Sequence, residues 1–341
     1  MSRIAIIGAG AWGTGLAIVL GRNRTHHVPH NVRLWANEPE VTESIASNRT
    51  NERFLPGFLL PESVAATTDL TTALDAAEIV VSVMPSQHCR VLFERMAPAL
   101  RPETLFVSCT KGLEDGTLLR MTEVIGDVLR SRKLTPRVAA LSGPSFAREV
   151  ARGDPTAVTV ASVDGEVTRA VQQAFNDSRF RVYTNNDVIG VELGGALKNI
   201  IAIAAGVCAG LGLGHNSAAA LITRGLAEIA RLVVACGGRL DTMAGLAGLG
   251  DLVLTCTGDL SRNRSVGVEL GKGRKLPDII ADMRGAVAEG VFTTKAAVGL
   301  ARKKNVEMPI TEQMFAILEN GKSPQQAIEG LMTRAARSEI Y

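Results

Sequence analysis

A lysine in an oily setting is the residue in this chain whose chemistry is hardest to ignore. Lys198 lies in VELGGALKNIIAIAAG, a stretch whose helical pattern is too apolar to face water along its length. Helical side chains lean back over the preceding turn, which here holds Gly194 and Gly195 and leaves room for a ligand or partner. Burial disfavours the ammonium form, so a lysine in this place could exchange a proton near neutral pH. The alternative is a core lysine that snorkels, or one paired with Glu192.

Other stretches carry the means to hold an anion and to orient an amine. SCTKGL places Lys111 and Gly112 where an apolar strand ends, the edge at which ligands bind in open α/β sheets. In TCTGDLSRNRSVG, Ser261 can cap a helix whose first turn holds Arg262, Asn263 and Arg264. Cations oppose the helix dipole there, and a bound anion would offset that through free N–H groups and a guanidinium fork; otherwise this is a surface turn. Asp251 follows the glycines of GLAGLG and offers one carboxylate to an amine, or simply caps a glycine-rich loop. LSGPSFA brings Gly143, Ser145 and Ala147 after another strand, as a substrate rim or as a Gly-Pro turn. His26, His27 and His30 have no acidic cluster beside them, so a solvated polar loop is expected and no metal site. No Ser-His-Asp set is apparent.

The opening MSRIAIIGAGAWGTGLAIVLGRN holds Gly8, Gly10 and Gly13 in G-x-G-x-x-G spacing. An apolar strand ends at Gly8 and a helix follows Gly13, the context that this motif requires for binding a dinucleotide. Gly8 permits the tight turn, Gly10 lets backbone approach a pyrophosphate, and Gly13 allows close helix–strand packing. A signal peptide shares the charge and the apolar run, but would not be followed by a further strand and a full α/β series. After the second strand, Glu38 can accept from a ribose 2′-hydroxyl and would repel a 2′-phosphate, favouring NAD over NADP; otherwise it decorates the next helix.

These residues need a scaffold. Strands are expected at Arg3–Ile7, Val32–Ala36, Glu78–Val83, Leu105–Cys109, Val138–Leu141 and Ala157–Ala161, with helices at Gly13–Leu20, Leu70–Ala77 and His88–Met96 between them. Near-continuous apolar strands alternating with helices indicate a doubly wound parallel sheet covered on both faces. After Asp187 only helices are expected: Val188–Leu211, Ser217–Cys236, Arg262–Lys272, Thr293–Lys303 and Glu312–Glu319. The expected division is a Rossmann-type domain over 1–187 and an all-helical domain over 188–341.

The 341 residues suit two domains, and 46% hydrophobic with 21% charged residues describes a folded chain. A net charge of +3 with scattered basic residues argues against nucleic acid as a partner. The five cysteines are widely spaced and form no Cys-x-x-Cys pair, so neither a disulfide framework nor a zinc site is expected, and a cytoplasmic setting fits. The longest apolar run, Asn199–Gly214, is shorter than the roughly 20 residues of a membrane span and reads as a buried helix.

With these motifs in order, the chain resembles the bacterial NAD(P)-dependent glycerol-3-phosphate dehydrogenases. GAGAWGTGLA, NERFLPGFLLPE, VMPSQHCR, SCTKGLE, SGPSFA, VELGGALKNIIAIAAG, LAGLGDLVLTCTGDLSRNR, AEGVFTTKA and MPITEQ look like that family's blocks, from Ile4 to about Ile317. The resemblance implies a homodimer that interconverts dihydroxyacetone phosphate and sn-glycerol 3-phosphate for phospholipid synthesis. It implies Lys198 as proton acceptor, Lys111 touching cofactor and substrate, and Asp251 holding the lysine and the substrate hydroxyl. Ser261, Arg262 and Asn263 would clamp phosphate, with Arg262 also at the cofactor, and Gly143 and Ser145 would line the substrate. Trp12, Ala147, Val287 and Glu289 match cofactor contacts. Asn37 and Glu38 depart from the basic pair that many members carry for a 2′-phosphate, and the THHVPHN loop looks longer than usual.

Two competing readings are a β-hydroxyacid dehydrogenase and a dinucleotide-sensing protein without catalysis. The former resembles G-x-x-x-K-x-x-x-N, with lysine and asparagine a turn apart, whereas here Asn199 follows Lys198 directly. A sensor would need neither a proton-exchanging lysine nor an anion clamp.

Overall fold

The computed structural model describes residues 2–23, 30–283, 285, 287–336, 338 and 339. Ten strands occur among them: β1 (Arg3–Ile7), β2 (Asn31–Trp35), β3 (Thr50–Asn51), β4 (Leu55–Leu59), β5 (Val64–Thr67), β6 (Ile79–Ser82), β7 (Leu105–Ser108), β8 (Val138–Ser142), β9 (Thr156–Ala161) and β10 (Phe180–Asn185). Eight form one sheet in the order β10-β9-β8-β7-β6-β1-β2-β5, and β3 with β4 makes a small antiparallel pair. The helices accompanying the sheet are α1 (Ala11–Arg22), α2 (Pro39–Asn48), α3 (Leu70–Leu74), α4 (Cys89–Met96), α5 (Met121–Ser131), α6 (Ala147–Arg152) and α7 (Gly165–Phe175).

Alternate strand residues bury on opposite faces. Ile4 and Ile6 join Leu16 and Leu20 on one side, while Ala5 and Ile7 join Phe93, Met96 and Val124 on the other. This is why the central strands read as continuous apolar runs. Within the eight-stranded sheet the pairings are parallel with one exception. β9 lies antiparallel to β8, with Ser142 opposite Thr159, so the wholly parallel sheet expected from sequence is broken there and β10 follows β9. Only α6 and its flanking loops, residues 143–155, join β8 to β9.

Register decides where function can sit. Ile7 pairs with both Trp35 and Ser82, and Ser82 with Ser108. The turns after β1, β2, β6, β7 and β8 therefore emerge along one edge, carrying Gly8–Gly13, Glu38, Ser86, Lys111 and Gly143.

From Val188 on, the described chain is helical: α8 (Val188–Gly210), α9 (His215–Ala235), α10 (Asp251–Thr257), α11 (Arg262–Gly271), α12 (Leu276–Asp282), α13 (Glu289–Lys303), α14 (Pro309–Asn320) and α15 (Pro324–Met332). α8 is the axis of this part. By length and composition alone it could cross a membrane, yet 83% of its most apolar window is buried within the fold. α11 lies directly against it: a Cβ on Gly206 would stand 2.0 Å from the Arg264 carbonyl oxygen, and one on Gly267 2.0 Å from that of Ile203. Such backbone-to-backbone approach fixes the start of α11, and with it Ser261, Arg262 and Asn263, relative to Lys198.

The histidine loop is only partly described. His26 and His27 lie outside the described residues. His30 is buried, with Nδ1 accepting from the Ser2 N–H at 3.3 Å and Nε2 3.1 Å from the Ala174 carbonyl oxygen, so it is a packing residue and not the solvated one expected.

Candidate active site

Lys198 sits midway along α8 and is 6% exposed. Its ammonium donates to Asp251 Oδ1 at 2.7 Å and to Thr255 Oγ1 at 2.6 Å. Lys111, on the turn after β7, donates to the other carboxylate oxygen, Asp251 Oδ2, at 2.6 Å. One buried carboxylate is thus shared by two ammonium groups that arrive from opposite halves of the chain. Glu192, the alternative partner considered for Lys198, instead accepts from the Thr122 N–H and hydroxyl and from Arg120, which ties α8 to the start of α5.

Burial drives the Lys198 pKa down to about 8; the Asp251 charge resists this and the Lys111 charge adds to it. Burial works against ionisation of Asp251, but the two ammonium groups outweigh it and hold its carboxyl below the usual range. The carboxylate also opens α10, where the helix dipole favours negative charge. One turn later Thr255 donates its hydroxyl to the Asp251 carbonyl oxygen at 2.6 Å, which leaves Oγ1 lone pairs directed at Lys198. Just before α10, residues Leu246–Gly250 form a single π-helical turn, a widening often found beside functional residues.

Gly194 and Gly195 do make room, though the fold itself takes it. A Cβ on Gly194 would stand 2.7 Å from the Ala247 carbonyl oxygen, and one on Gly195 2.4 Å from Ser142 Oγ. These glycines admit the 247 turn and the end of β8, which carries Gly143. Gly143 has φ +142°, and its carbonyl oxygen accepts from Ser145 Oγ at 2.9 Å and faces Lys111 Nζ at 3.5 Å.

The proposed clamp divides. Ser261 caps α11 by accepting from the Arg264 N–H at 3.2 Å. The N–H groups of Arg262 and Asn263 open the helix and have no intrahelical acceptor. Arg262 is exposed, permanently charged, and without a hydrogen-bond partner among the described residues. The Asn263 amide donates to Asn199 Oδ1 at 3.0 Å and its oxygen accepts from the Gly290 N–H at 2.9 Å. Its side chain therefore knits α11, α8 and α13 together, while its backbone N–H belongs to the first turn of α11.

The dinucleotide turn has the features a pyrophosphate requires. Gly8 has φ +119°, and a Cβ on Gly13 would stand 1.8 Å from the Gly8 carbonyl oxygen, so neither position tolerates a side chain. A Cβ on Gly10 meets nothing within 4 Å, leaving open space beside the uncapped N–H groups of α1. Glu38 occupies the N-cap position of α2, yet its carboxylate makes no capping bond. Trp12 lies in the first turn of α1, 6.5 Å from Phe180 between ring centroids, and Ala147 begins α6 against Gly15. Val287, half-buried, precedes α13. Glu289 opens α13 and accepts from the Ser86 N–H at 3.2 Å and its hydroxyl at 2.7 Å, bridging the two halves; burial raises its pKa.

Family models match both halves of the chain: the N-terminus of NAD-dependent glycerol-3-phosphate dehydrogenase over residues 3–168, and its C-terminus over 187–329. The chain belongs to the NAD-dependent glycerol-3-phosphate dehydrogenase family. It is similar to the glycerol-3-phosphate dehydrogenase [NAD(P)+] of Koribacter versatilis, 66% identical over 341 residues and the whole of both chains. That of Acidobacterium capsulatum is 58% identical, over 99% of this chain and 100% of the relative. The crystal structure of glycerol-3-phosphate dehydrogenase from Coxiella burnetii superposes with a TM-score of 0.91 at 43% identity, covering 98% of this chain and 99% of that one. Within this glycerol-3-phosphate dehydrogenase, sequence reasoning missed Thr255 and Ser86. Thr255 had a signal: it stands four residues after Asp251, on the same helix face. Ser86 had none, because its partner Glu289 is 203 residues away.

Proposed function

We propose that Lys198 is the proton donor and acceptor in the reaction this enzyme catalyses, the nicotinamide-dependent interconversion of dihydroxyacetone phosphate and sn-glycerol 3-phosphate. The observation that carries this is the buried ammonium with a pKa of about 8, aimed by Asp251 and Thr255 and kept acidic by Lys111. The bound cofactor supplies hydride to the ketone carbon in one direction and accepts it in the other. In reduction, the Lys198 ammonium gives a proton to the developing C2 alkoxide and is left as a neutral amine. In oxidation the neutral amine takes the hydroxyl proton. Asp251 keeps the amine aimed and offsets the positive charge of two lysines. Arg262 and the first N–H groups of α11 hold the phosphate, and Gly143 and Ser145 border the substrate.

The free Glu38 carboxylate supports NAD over NADP. We divide the chain into a dinucleotide domain over 1–187 and a substrate domain over 188–341, and we read α8 as a core helix, the protein as cytoplasmic and the enzyme as a homodimer. A β-hydroxyacid dehydrogenase is disfavoured by Asn199 directly after Lys198 and by the family matches.

Initial rates decide among these readings. NADH oxidation with dihydroxyacetone phosphate should far exceed that with unphosphorylated dihydroxyacetone, and NADH should outperform NADPH. Equal rates on both ketones would remove the phosphate clamp from the account. A Glu38→Ala variant that gains no activity with NADPH would remove Glu38 from cofactor choice.

A further inference from the structure

The block NERFLPGFLLPE has no part in the site described above, yet its first residue reaches the dinucleotide turn. Asn51 ends β3 and is fully buried. Its amide donates to the Ala9 carbonyl oxygen and to Thr14 Oγ1, both at 2.8 Å, and its Oδ1 accepts from the Phe54 N–H at 3.1 Å. These partners fix which end of the side chain is which, because a carbonyl only accepts and a backbone N–H only donates. Thr14 Oγ1 in turn donates to the same Ala9 carbonyl at 3.3 Å. Both amide protons of Asn51 are thus used on the segment Ala9–Thr14, and its oxygen anchors it to the β3–β4 hairpin.

The consequence lies on the other side of one peptide bond. Ala9 is buried, so its carbonyl needs a donor, and Asn51 supplies it. The Ala9–Gly10 peptide is trans and planar, so its C=O and N–H point in opposite directions. Drawing the Ala9 oxygen towards Asn51 turns the Gly10 N–H away from the hairpin. That N–H makes no backbone hydrogen bond among the described residues, and it precedes the uncapped N–H groups of α1. A released Ala9 carbonyl would be free to rotate and set a partial negative charge against a phosphate. We propose that Asn51 is a positioning residue for the cofactor, locking the Ala9–Gly10 peptide so that the Gly10 N–H donates to the pyrophosphate. This rests on the reading of the Gly8–Gly13 turn as the pyrophosphate seat.

The test uses the full-length enzyme, with steady-state kinetics beside calorimetric titration of NADH and ADP-ribose. Asn51→Leu keeps the size and removes both donors. It should raise the KM and Kd for NADH about 10-fold, as expected for losing one hydrogen bond to a charged group. The kcat at saturating NADH and the KM for dihydroxyacetone phosphate should stay within twofold. ADP-ribose, which keeps the pyrophosphate and lacks the nicotinamide, should weaken by the same factor as NADH. Thr14→Val should show a smaller rise and Thr14→Ser none, a comparison that decides the matter if Asn51→Leu does not fold. Gly10→Val tests the seat itself: φ −64° and ψ 179° admit a side chain, and a Cβ there meets nothing within 4 Å. It should fold and lose NADH binding. If Gly10→Val binds NADH normally, the reading of the seat fails and the proposal with it. If Gly10→Val loses NADH while Asn51→Leu and Thr14→Val bind it as the wild type does, only the role of Asn51 is overturned. A loss that spares ADP-ribose, or an equal rise in the KM for dihydroxyacetone phosphate, overturns it as well.

Discussion

Replacing Asp251 by Asn keeps the shape of the side chain and removes its charge, which isolates what the carboxylate does for Lys198. In the wild type Asp251 accepts from Lys198 at 2.7 Å and from Lys111 at 2.6 Å, all three groups being largely enclosed. Breaking a buried pair of this kind costs about 3–5 kcal/mol when the remaining charge has nowhere to go. A lysine has an escape, which is to lose its proton. If even about 3 kcal/mol of that penalty falls on the Lys198 ammonium, its pKa drops by about 2 units, since each unit is about 1.4 kcal/mol. Starting from about 8, Lys198 would then be mostly neutral at pH 7. The reductive kcat, which needs the ammonium, should fall about 10- to 100-fold at pH 7 and recover as the pH is lowered towards 6. The assay is the pH profile of dihydroxyacetone phosphate reduction in both proteins, with NADH affinity followed by fluorescence as a check on folding. An Asp251→Asn profile with the wild-type inflection and a kcat within twofold would refute the electrostatic reasoning.

Thr255→Val removes the hydroxyl that accepts from Lys198 at 2.6 Å; a bond to a charged group is worth about 1.5–3 kcal/mol, so kcat should fall about 10- to 100-fold with KM little changed. Arg262→Ala should raise the KM for dihydroxyacetone phosphate by a similar factor while leaving dihydroxyacetone unaffected, as steady-state comparison of the two ketones will show. A fourth prediction concerns stability. Glu228 of α9 is buried and accepts from the N–H groups of Ile310 and Thr311 at the start of α14, and burial raises its pKa from 4.5 to about 7. The folded state then holds a proton that the unfolded chain releases above about 4.5. The associated stability is therefore present below that value and lost as pH rises through about 7, by at most about 3 kcal/mol. Denaturant melts from pH 4.5 to 8 should show this slope, flattened in Glu228→Gln; an equal slope in both would contradict the assignment.

What could be read in advance follows from what is local. The Gly8-Gly10-Gly13 turn, the apolar strands and the long helix at Val188–Gly210 are written in short-range pattern, and they fold as read. β10 escaped because FRVYTN alternates exposed and buried residues at the sheet edge, unlike the apolar central strands. The reversal of β9 escaped because an apolar strand reads the same in either direction. In the site, Lys198 and Asp251 drew attention by being charged in apolar or glycine-rich surroundings. Their meeting across 53 residues could not be read from spacing. The Asn263 side chain carries a second task that no local pattern shows, because its amide donates to the distant Asn199. His30 likewise looked solvated within a polar loop and is buried against α7 by a backbone carbonyl that no local pattern shows.

The most direct measurement is turnover by Lys198→Ala, in both directions, beside its affinity for NADH. The account predicts NADH binding close to that of the wild type, a loss of kcat of at least about 100-fold, in the range that positioned acid–base groups contribute, and no inflection near pH 8. A variant that reduces dihydroxyacetone phosphate at a wild-type rate, with the inflection near pH 8 intact, would place the proton transfer on another group.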